Sequence, residues 1–398
     1  MIKVASRRNM RYLFFLFVFH NLRITERIIM KNVTHFSDTL TLMILMFLGE
    51  LLGGLIIIIY QYYSFSTRKK IDANIDFIDI ENSNKYELIH EEIEMKNKKN
   101  IFKILLLIFF ASFFQFSEFI ISGSMTSIAI LSPTTDQRLY IIVTFTSSFL
   151  CIFALKIKTG KHHTFSLIGM GVCSLIIFII ELIYKSKETS FGYLLLIYLL
   201  VFCELIFVSF TDVIEKYLTE FNNSDKYHII SVEGLYGIFL CLIYALSMSK
   251  NPINKISKIY NELGLGGKIL FIIFLFLYAI LSAGLNTYKI ICNVIYNPMV
   301  KSLAGFFLNP LLIFYYFINE NDFISKGNRN YFYFFINIIL SLTINFFACI
   351  YNEVFILSCF SLKKDTHLGI TERSKKNATT ELQDLDQDTS LNSLSSRE

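Results

Sequence analysis

The sequence has no tryptophan and little charge: only 17% of its 398 residues are Asp, Glu, Lys or Arg. A soluble domain carries about 25%, so the shortage speaks against a fold with its whole surface in water. No two cysteines form a C-x-x-C, and the seven sit in or beside apolar runs, where thiols act as small buried hydrophobes. There is no G-x-S-x-G, no H-E-x-x-H and no phosphate-binding loop, so nothing points to an enzyme or a primary pump. No basic stripe with interleaved aromatics suggests a nucleic-acid partner, and no residue set suggests a metal or a cofactor. The adjacent pair His162-His163, beside Lys158 and Lys161, reads as a solvated basic loop.

What is present is apolar. Hydrophobic residues make up 54% of the chain. They gather in nine runs, roughly 39–60, 101–122, 138–157, 164–184, 191–211, 229–248, 268–287, 296–318 and 331–352. Crossing the hydrocarbon takes about 20 apolar residues. Inside lipid the backbone must satisfy its own hydrogen bonds, so each run is expected to be a helix. A tenth run, 12–20, is short and flanked by Arg7, Arg8, Arg11 and Arg23; it reads as a poor first helix rather than a signal peptide, for no small-x-small cleavage site follows it. The fold class expected is an all-α membrane protein, a ten-helix bundle with its first helix poorly formed. Tyr near run ends can form the interfacial belt that Trp often supplies. Segments 64–100 and 249–268 read as polar breaks, and the polar end of the chain as a disordered cytosolic tail. The distribution of Lys and Arg favours a cytosolic N-terminus, although Lys250, Lys255, Lys258 and Lys268 then fall on the lumenal side.

A weak internal repeat runs through the chain. The second helix carries Glu50 followed by Gly53-Gly54; the seventh carries Glu233 followed by Gly237. In each, acid and glycine share one helix face. The fourth run is entered by Ser132-Pro133 with Arg138 five residues later, the ninth by Asn297-Pro298 with Lys301 three later. The acids are 183 residues apart and the prolines 165, a difference close to the extra length of segment 61–100 over 249–267. Five helices repeated once enter the membrane in opposite senses, which is a 5+5 inverted repeat. The division that follows is an N-terminal segment 1–38, a first repeat 39–185, a second repeat 186–355 and a tail 356–398.

These residues resemble the drug/metabolite transporter superfamily (EamA-type and nucleotide-sugar-transporter-like), in the F-type branch of solute carrier family 35. Met46-Phe47-Leu48-Gly49-Glu50 resembles that branch's second helix. Val213-Ile214-Glu215-Lys216-Tyr217, followed by Val232-Glu233-Gly234-Leu235-Tyr236-Gly237, resembles its most distinctive stretch, and Ile350-Tyr351-Asn352-Glu353 resembles the end of its last helix. The resemblance covers about residues 40–355 and says little about cargo. Two departures stand out: the first helix, which lines one side of the cavity in the family, is barely recognisable, and Lys301 stands where family members tend to have arginine, which weakens a bidentate anion contact.

An ionisable residue in the middle of a spanning helix costs about 2.5–3.5 kcal/mol on insertion scales. Glu50, Glu118, Glu204 and Glu233 therefore need a partner, a wet cavity or a function. Glu50 and Glu233 read either as structural acids paired beside close-packed glycines or as a proton or cation site. Arg138 and Lys301 read either as side chains snorkelling from helix ends or as an anion-binding pair from opposite halves. Gln115 shares a face of the third helix with Glu118, and Asn286 lies near the end of the eighth. The substrate-site candidates are thus Arg138, Lys301, Glu50, Glu233, Gln115 and Asn286. The function expected is secondary transport or exchange of a small metabolite, anionic if the Arg138–Lys301 pair binds it, across a Golgi, endosome or lysosome-like membrane. The alternative is a membrane scaffold that kept the fold without transport. The expected partners are the solute and the bilayer, and a homodimer is compatible with the sequence.

Overall fold

The computed structural model describes residues 7–72, 86–128, 141–295 and 331–351, apart from short gaps, with scattered residues between 313 and 366; the side chains of 7–10, 64–100 and 124–141 are excepted. Ten helices are described: α1 (Arg7–Thr34), α2 (Thr39–Asp72), α3 (Tyr86–Ile128), α4 (Ile141–Phe153), α5 (Lys161–Lys185), α6 (Phe191–Glu220), α7 (Lys226–Ser247), α8 (Pro252–Glu262), α9 (Leu265–Ile295) and α10 (Tyr331–Tyr351). A two-residue ladder, Ile324–Ser325 against Asn328–Arg329, precedes α10.

Among the described residues, seven helices are long and apolar enough to cross a membrane: α2, α3, α5, α6, α7, α9 and α10. Their outward faces are greasy, with Ile56, Phe102, Ile168, Phe239, Phe276 and Phe332 all exposed. Their interior holds Glu50, Asp212, Glu215 and Glu233, each nearly free of solvent. A water-soluble fold distributes its side chains the other way round. The protein is an all-α, multi-pass membrane protein.

Helix starts follow local chemistry. At α2, the Asp38 carboxylate accepts hydrogen bonds from the Thr41 backbone N–H at 3.0 Å and the Thr41 hydroxyl at 2.7 Å, which satisfies a donor left open by the first turn. Burial alone would raise the Asp38 pKa, but Lys255 and the Thr41 bonds outweigh it and hold the carboxyl below its ordinary value. At α8, Asn251 accepts from the Asn254 N–H at 3.1 Å and Pro252 occupies the first turn. At α5, the N-cap is Gly160, whose N–H reaches His163 Nδ1 at 3.1 Å.

The most extensive helix pairing is α2 on α7. Next, in falling order, come α3 on α6, α1 on α9, α2 on α9, α5 on α10, α3 on α7 and α4 on α6, with smaller contacts such as α6 on α9. Glycine permits the α2–α7 crossing. A Cβ on Gly234 would stand 2.5 Å from the Leu51 N and 2.6 Å from the Phe47 carbonyl oxygen, both backbone atoms. Small residues at such points let helices approach in lipid, where no hydrophobic force drives them together.

Several boundaries differ from the sequence reading. Segment 64–100 is not simply a polar break, for α2 runs on to Asp72 and α3 begins at Tyr86. Segment 249–268 contains α8, whose Ile256, Ile259 and Tyr260 pack on a core of α2 and α7 side chains while Ile253 stays exposed. The first helix is a regular helix of 28 residues, joined to α9 by Tyr288 stacking on Phe15 and Phe19. What it lacks is apolarity, with Arg11, Arg23, Glu26 and Arg27 along its length; it is not among the helices long and apolar enough to span. Most of run 296–318 lies outside the described residues. The largest difference concerns α6 and α9. Runs expected to end near 211 and 287 continue helically to Glu220 and Ile295. At 1.5 Å per residue the 30 residues of α6 span about 45 Å.

Candidate functional site

The two extensions carry the charge. On α9, Ser282, Asn286, Lys289 and Asn293 are spaced four, three and four residues apart, so they share one face. On α6, Asp212 and Glu215 are one turn apart. The faces meet: Lys289 Nζ lies 3.1 Å from Glu215 Oε1 and 3.3 Å from Asp212 Oδ1. Asn293 Nδ2 donates to Glu215 Oε2 at 2.7 Å. Lys216 turns away, reaching Glu220 at 2.7 Å and the Val294 carbonyl at 3.3 Å. Asp212 is fully buried and the Lys289 side chain 15% exposed. An ion pair taken from water recovers its desolvation cost only with good geometry and further hydrogen bonds; Asn293 supplies one.

Glu50 sits where α2 meets α3 and α9. Its Oε1 accepts a hydrogen bond from Gln115 Nε2 at 2.9 Å and a close one from Asn286 Nδ2. Both donors are amides, which supply N–H to a carboxylate without adding charge. The Cβ-less surfaces of Gly49 and Gly53 lie against Ala279 and Ala283 of α9, and this close approach brings Asn286 within reach of Glu50. Glu233, on α7, is held differently. Its backbone carbonyl accepts from Ser112 Oγ at 3.2 Å, yet its carboxyl Oε1 has no hydrogen-bond partner among the described residues. It lies within electrostatic range of Glu50, Glu215, Asp212 and Lys289. Ser112 and Gln115, one turn apart on α3, thus serve Glu233 and Glu50 respectively.

The structure accordingly brings four of the sequence candidates into one neighbourhood: Glu50, Gln115, Asn286 and Glu233. Arg138 and Lys301 lie outside the described residues. Sequence reasoning passed over Lys289, Asp212 and Asn293, and quoted Glu215 only for its family resemblance. Their four- and three-residue spacing was the available signal. It was hidden because polar residues after an apolar run read as the end of a helix.

The histidine pair needs correction. His162 and His163 are not in a solvated loop; they are buried in the first turn of α5. Their rings lie 3.8 Å apart, His163 meets Tyr351 edge-on at 4.6 Å, and His162 Nε2 reaches Glu353 Oε1 at 3.2 Å. Glu353 has a positive φ of 56°, which turns the chain after α10 toward α5. Among the cysteines, Cys151, Cys173, Cys241 and Cys292 are buried in the helix packing, as expected of small hydrophobes.

Comparison with protein families and with curated proteins finds no match for this chain.

Proposed function

We propose that the protein is a secondary carrier of a small solute, built on a 5+5 inverted repeat like that of drug/metabolite transporters. One observation carries the reading: a charged and amide-rich cluster lies inside the bundle and draws on α2 and α3 of the first half and α6, α7 and α9 of the second. Intramembrane ionisable residues facing a bundle interior are expensive and mark solute or proton pathways. Sites between repeats near the midplane are where such carriers bind cargo.

The helix pairing supports the repeat. Let α1 correspond to α6, α2 to α7, α3 to α9 and α5 to α10. The α3–α6 pair then maps onto α9–α1, and the α2–α9 pair onto α7–α3. The α2–α7 and α5–α10 pairs map onto themselves. In this scheme α8 is an insertion of the second half and α4 corresponds to run 296–318. Rocking of one half against the other about the cluster would expose it to each side in turn. Glu50 and Glu233 shape or couple the site, and Arg138 and Lys301 remain an anion-binding hypothesis from the sequence. The endomembrane location rests on the resemblance.

Uptake by proteoliposomes of the purified chain, assayed against a metabolite panel across a range of pH, tests this reading. Accumulation of at least one solute, with pH dependence removed by Glu50→Gln or Glu233→Gln in protein that still folds, is the expected result. A well-folded protein that moves nothing in the panel would favour a scaffold that retained the fold. Full pH-sensitive uptake in both variants would exclude the coupling role of the two acids.

A further inference from the structure

The polar atoms of the central cluster are unbalanced in a way that specifies the missing occupant. Among the described residues, Glu50 Oε2, Gln115 Oε1, Glu233 Oε1 and Asn293 Oδ1 are buried without a hydrogen-bond partner, as is the hydroxyl of Ser282. All four of the first are acceptors. The donor nitrogens of the cluster, by contrast, already have acidic partners: Gln115 Nε2 and Asn286 Nδ2 on Glu50, Asn293 Nδ2 and Lys289 Nζ on Glu215. The orientation of Gln115 follows from its neighbour, because a carboxylate oxygen takes the amide N–H and turns the amide oxygen away. Charge is unbalanced in the same sense: among the described residues, Glu50, Asp212, Glu215 and Glu233 have Lys289 as the cation in range of them. Glu118 of α3 adds a further acid within range of Lys289.

Buried acceptors without donors cost about 1–3 kcal/mol each, and unpaired buried charge costs more. An occupant that carries both positive charge and several N–H donors would relieve both deficits. Lys289 already does so at one end of the cluster, presenting a primary ammonium to Asp212 and Glu215.

We propose that the partnerless polar atoms of Glu50, Gln115, Glu233 and Ser282 form a binding site for the protonated amine of a small solute, with Lys289 as the resident counter-ion of the cluster. The inference rests on the carrier reading for its purpose, but binding can be measured without transport. An ammonium group fits better than a divalent metal: no three His, Cys, Asp or Glu side chains among the described residues are placed to hold a metal ion, whereas amide and hydroxyl oxygens suit an N–H donor.

The test uses the purified full chain in nanodiscs and three chloride salts at equal ionic strength: methylammonium, choline and sodium. Choline has the charge of an amine without N–H donors; sodium has charge and takes oxygen ligands. Thermal unfolding should shift upward in methylammonium relative to both others, with saturation. Glu233→Gln and Glu50→Gln, which keep side-chain size, should each weaken the apparent affinity at least about tenfold, or roughly 1.4 kcal/mol. Ser282→Ala should weaken it less and keeps the fold testable if a Glu variant does not fold. Equal shifts in methylammonium and choline, a larger shift in sodium, or no shift in any salt would each overturn the amine site. Failure of uptake with the methylammonium shift intact would instead overturn only the carrier reading; uptake of a panel solute with no methylammonium shift would overturn only the amine site.

Discussion

Glu50 and Glu233 are the same residue, one on α2 and one on α7, and each is followed within a turn by a glycine that lies in a close helix contact. Their surroundings nevertheless differ. Glu50 is gripped by two amide donors from two other helices, whereas the Glu233 carboxyl has no donor on Oε1 among the described residues. A carboxylate needs donors in a dry interior, and one that lacks them is where a proton or a cation is most stabilising. The asymmetry lies in what each acid meets: Glu50 is held by donors from two helices, whereas the carboxyl of Glu233 is not so held among the described residues. Chemically equal residues thus acquire different surroundings from what the neighbouring helices present to them.

The harshest way to disturb this comparison is to remove Lys289, the cation within electrostatic range of both acids. Lys289→Met deprives Asp212 and Glu215 of their lysine and should cost about 3–5 kcal/mol, read as a large fall in thermal stability or loss of monodisperse protein in detergent. Near-normal stability would mean that water or another group reaches these carboxylates. Next comes the crossing that holds the acids together. Gly234→Ala forces a Cβ against the backbone at Phe47 and Leu51 and should cost about 1–3 kcal/mol or more, since backbone cannot yield as a flexible side chain does. Gly192→Ala meets nothing within 4 Å and should be neutral or slightly stabilising, which makes it the control in the same unfolding assay.

The comparison itself is sharpened by a matched pair. Glu50→Leu strands the amide donors of Gln115 and Asn286 and should lose about 1–3 kcal/mol more than Glu233→Leu. Equal losses would show that both acids are structural. The smallest expected effect lies outside the membrane-spanning segments, at Asp38. Its carboxyl pKa is held below the ordinary value by Lys255 and Thr41 against the opposing effect of burial. Its stabilising contribution is therefore present above the ordinary aspartate value and lost as pH falls through the lower folded value. Lys255 is half exposed, so Asp38→Asn should cost no more than about 1 kcal/mol at neutral pH. The gap between variant and parent should close on acidification below the ordinary aspartate range. A gap that persists at low pH would point to the lost helix cap rather than to charge.

The membrane character, the positions of most spanning helices and the choice of Glu50, Glu233, Gln115 and Asn286 as unusual were legible in the sequence, because hydropathy and a lone ionisable group inside an apolar run are local properties. The helical extensions of α6 and α9 were not. Asp212, Glu215, Lys289 and Asn293 look like the polar ends of apolar runs, and only their pairing across two helices keeps them inside. His162 and His163 misled for the same reason: next to Lys158 and Lys161 they resemble a wet loop, and the approach of Tyr351 and Glu353 makes them interior.

The sequence alone therefore determined the solvent. Runs of about 20 apolar residues commit a chain to lipid whatever its neighbours are, since the backbone must then close its hydrogen bonds within each helix. It also determined which residues would be costly there. The tertiary structure decided how that cost is met, because a carboxylate has no partner until another helix brings one. Gln115 and Asn286, 65 and 236 residues away along the chain, reach Glu50 because glycines on α2 let α9 come close, while among the described residues no donor so placed reaches Glu233 Oε1. Burial is a consequence of composition; partnership is a consequence of packing.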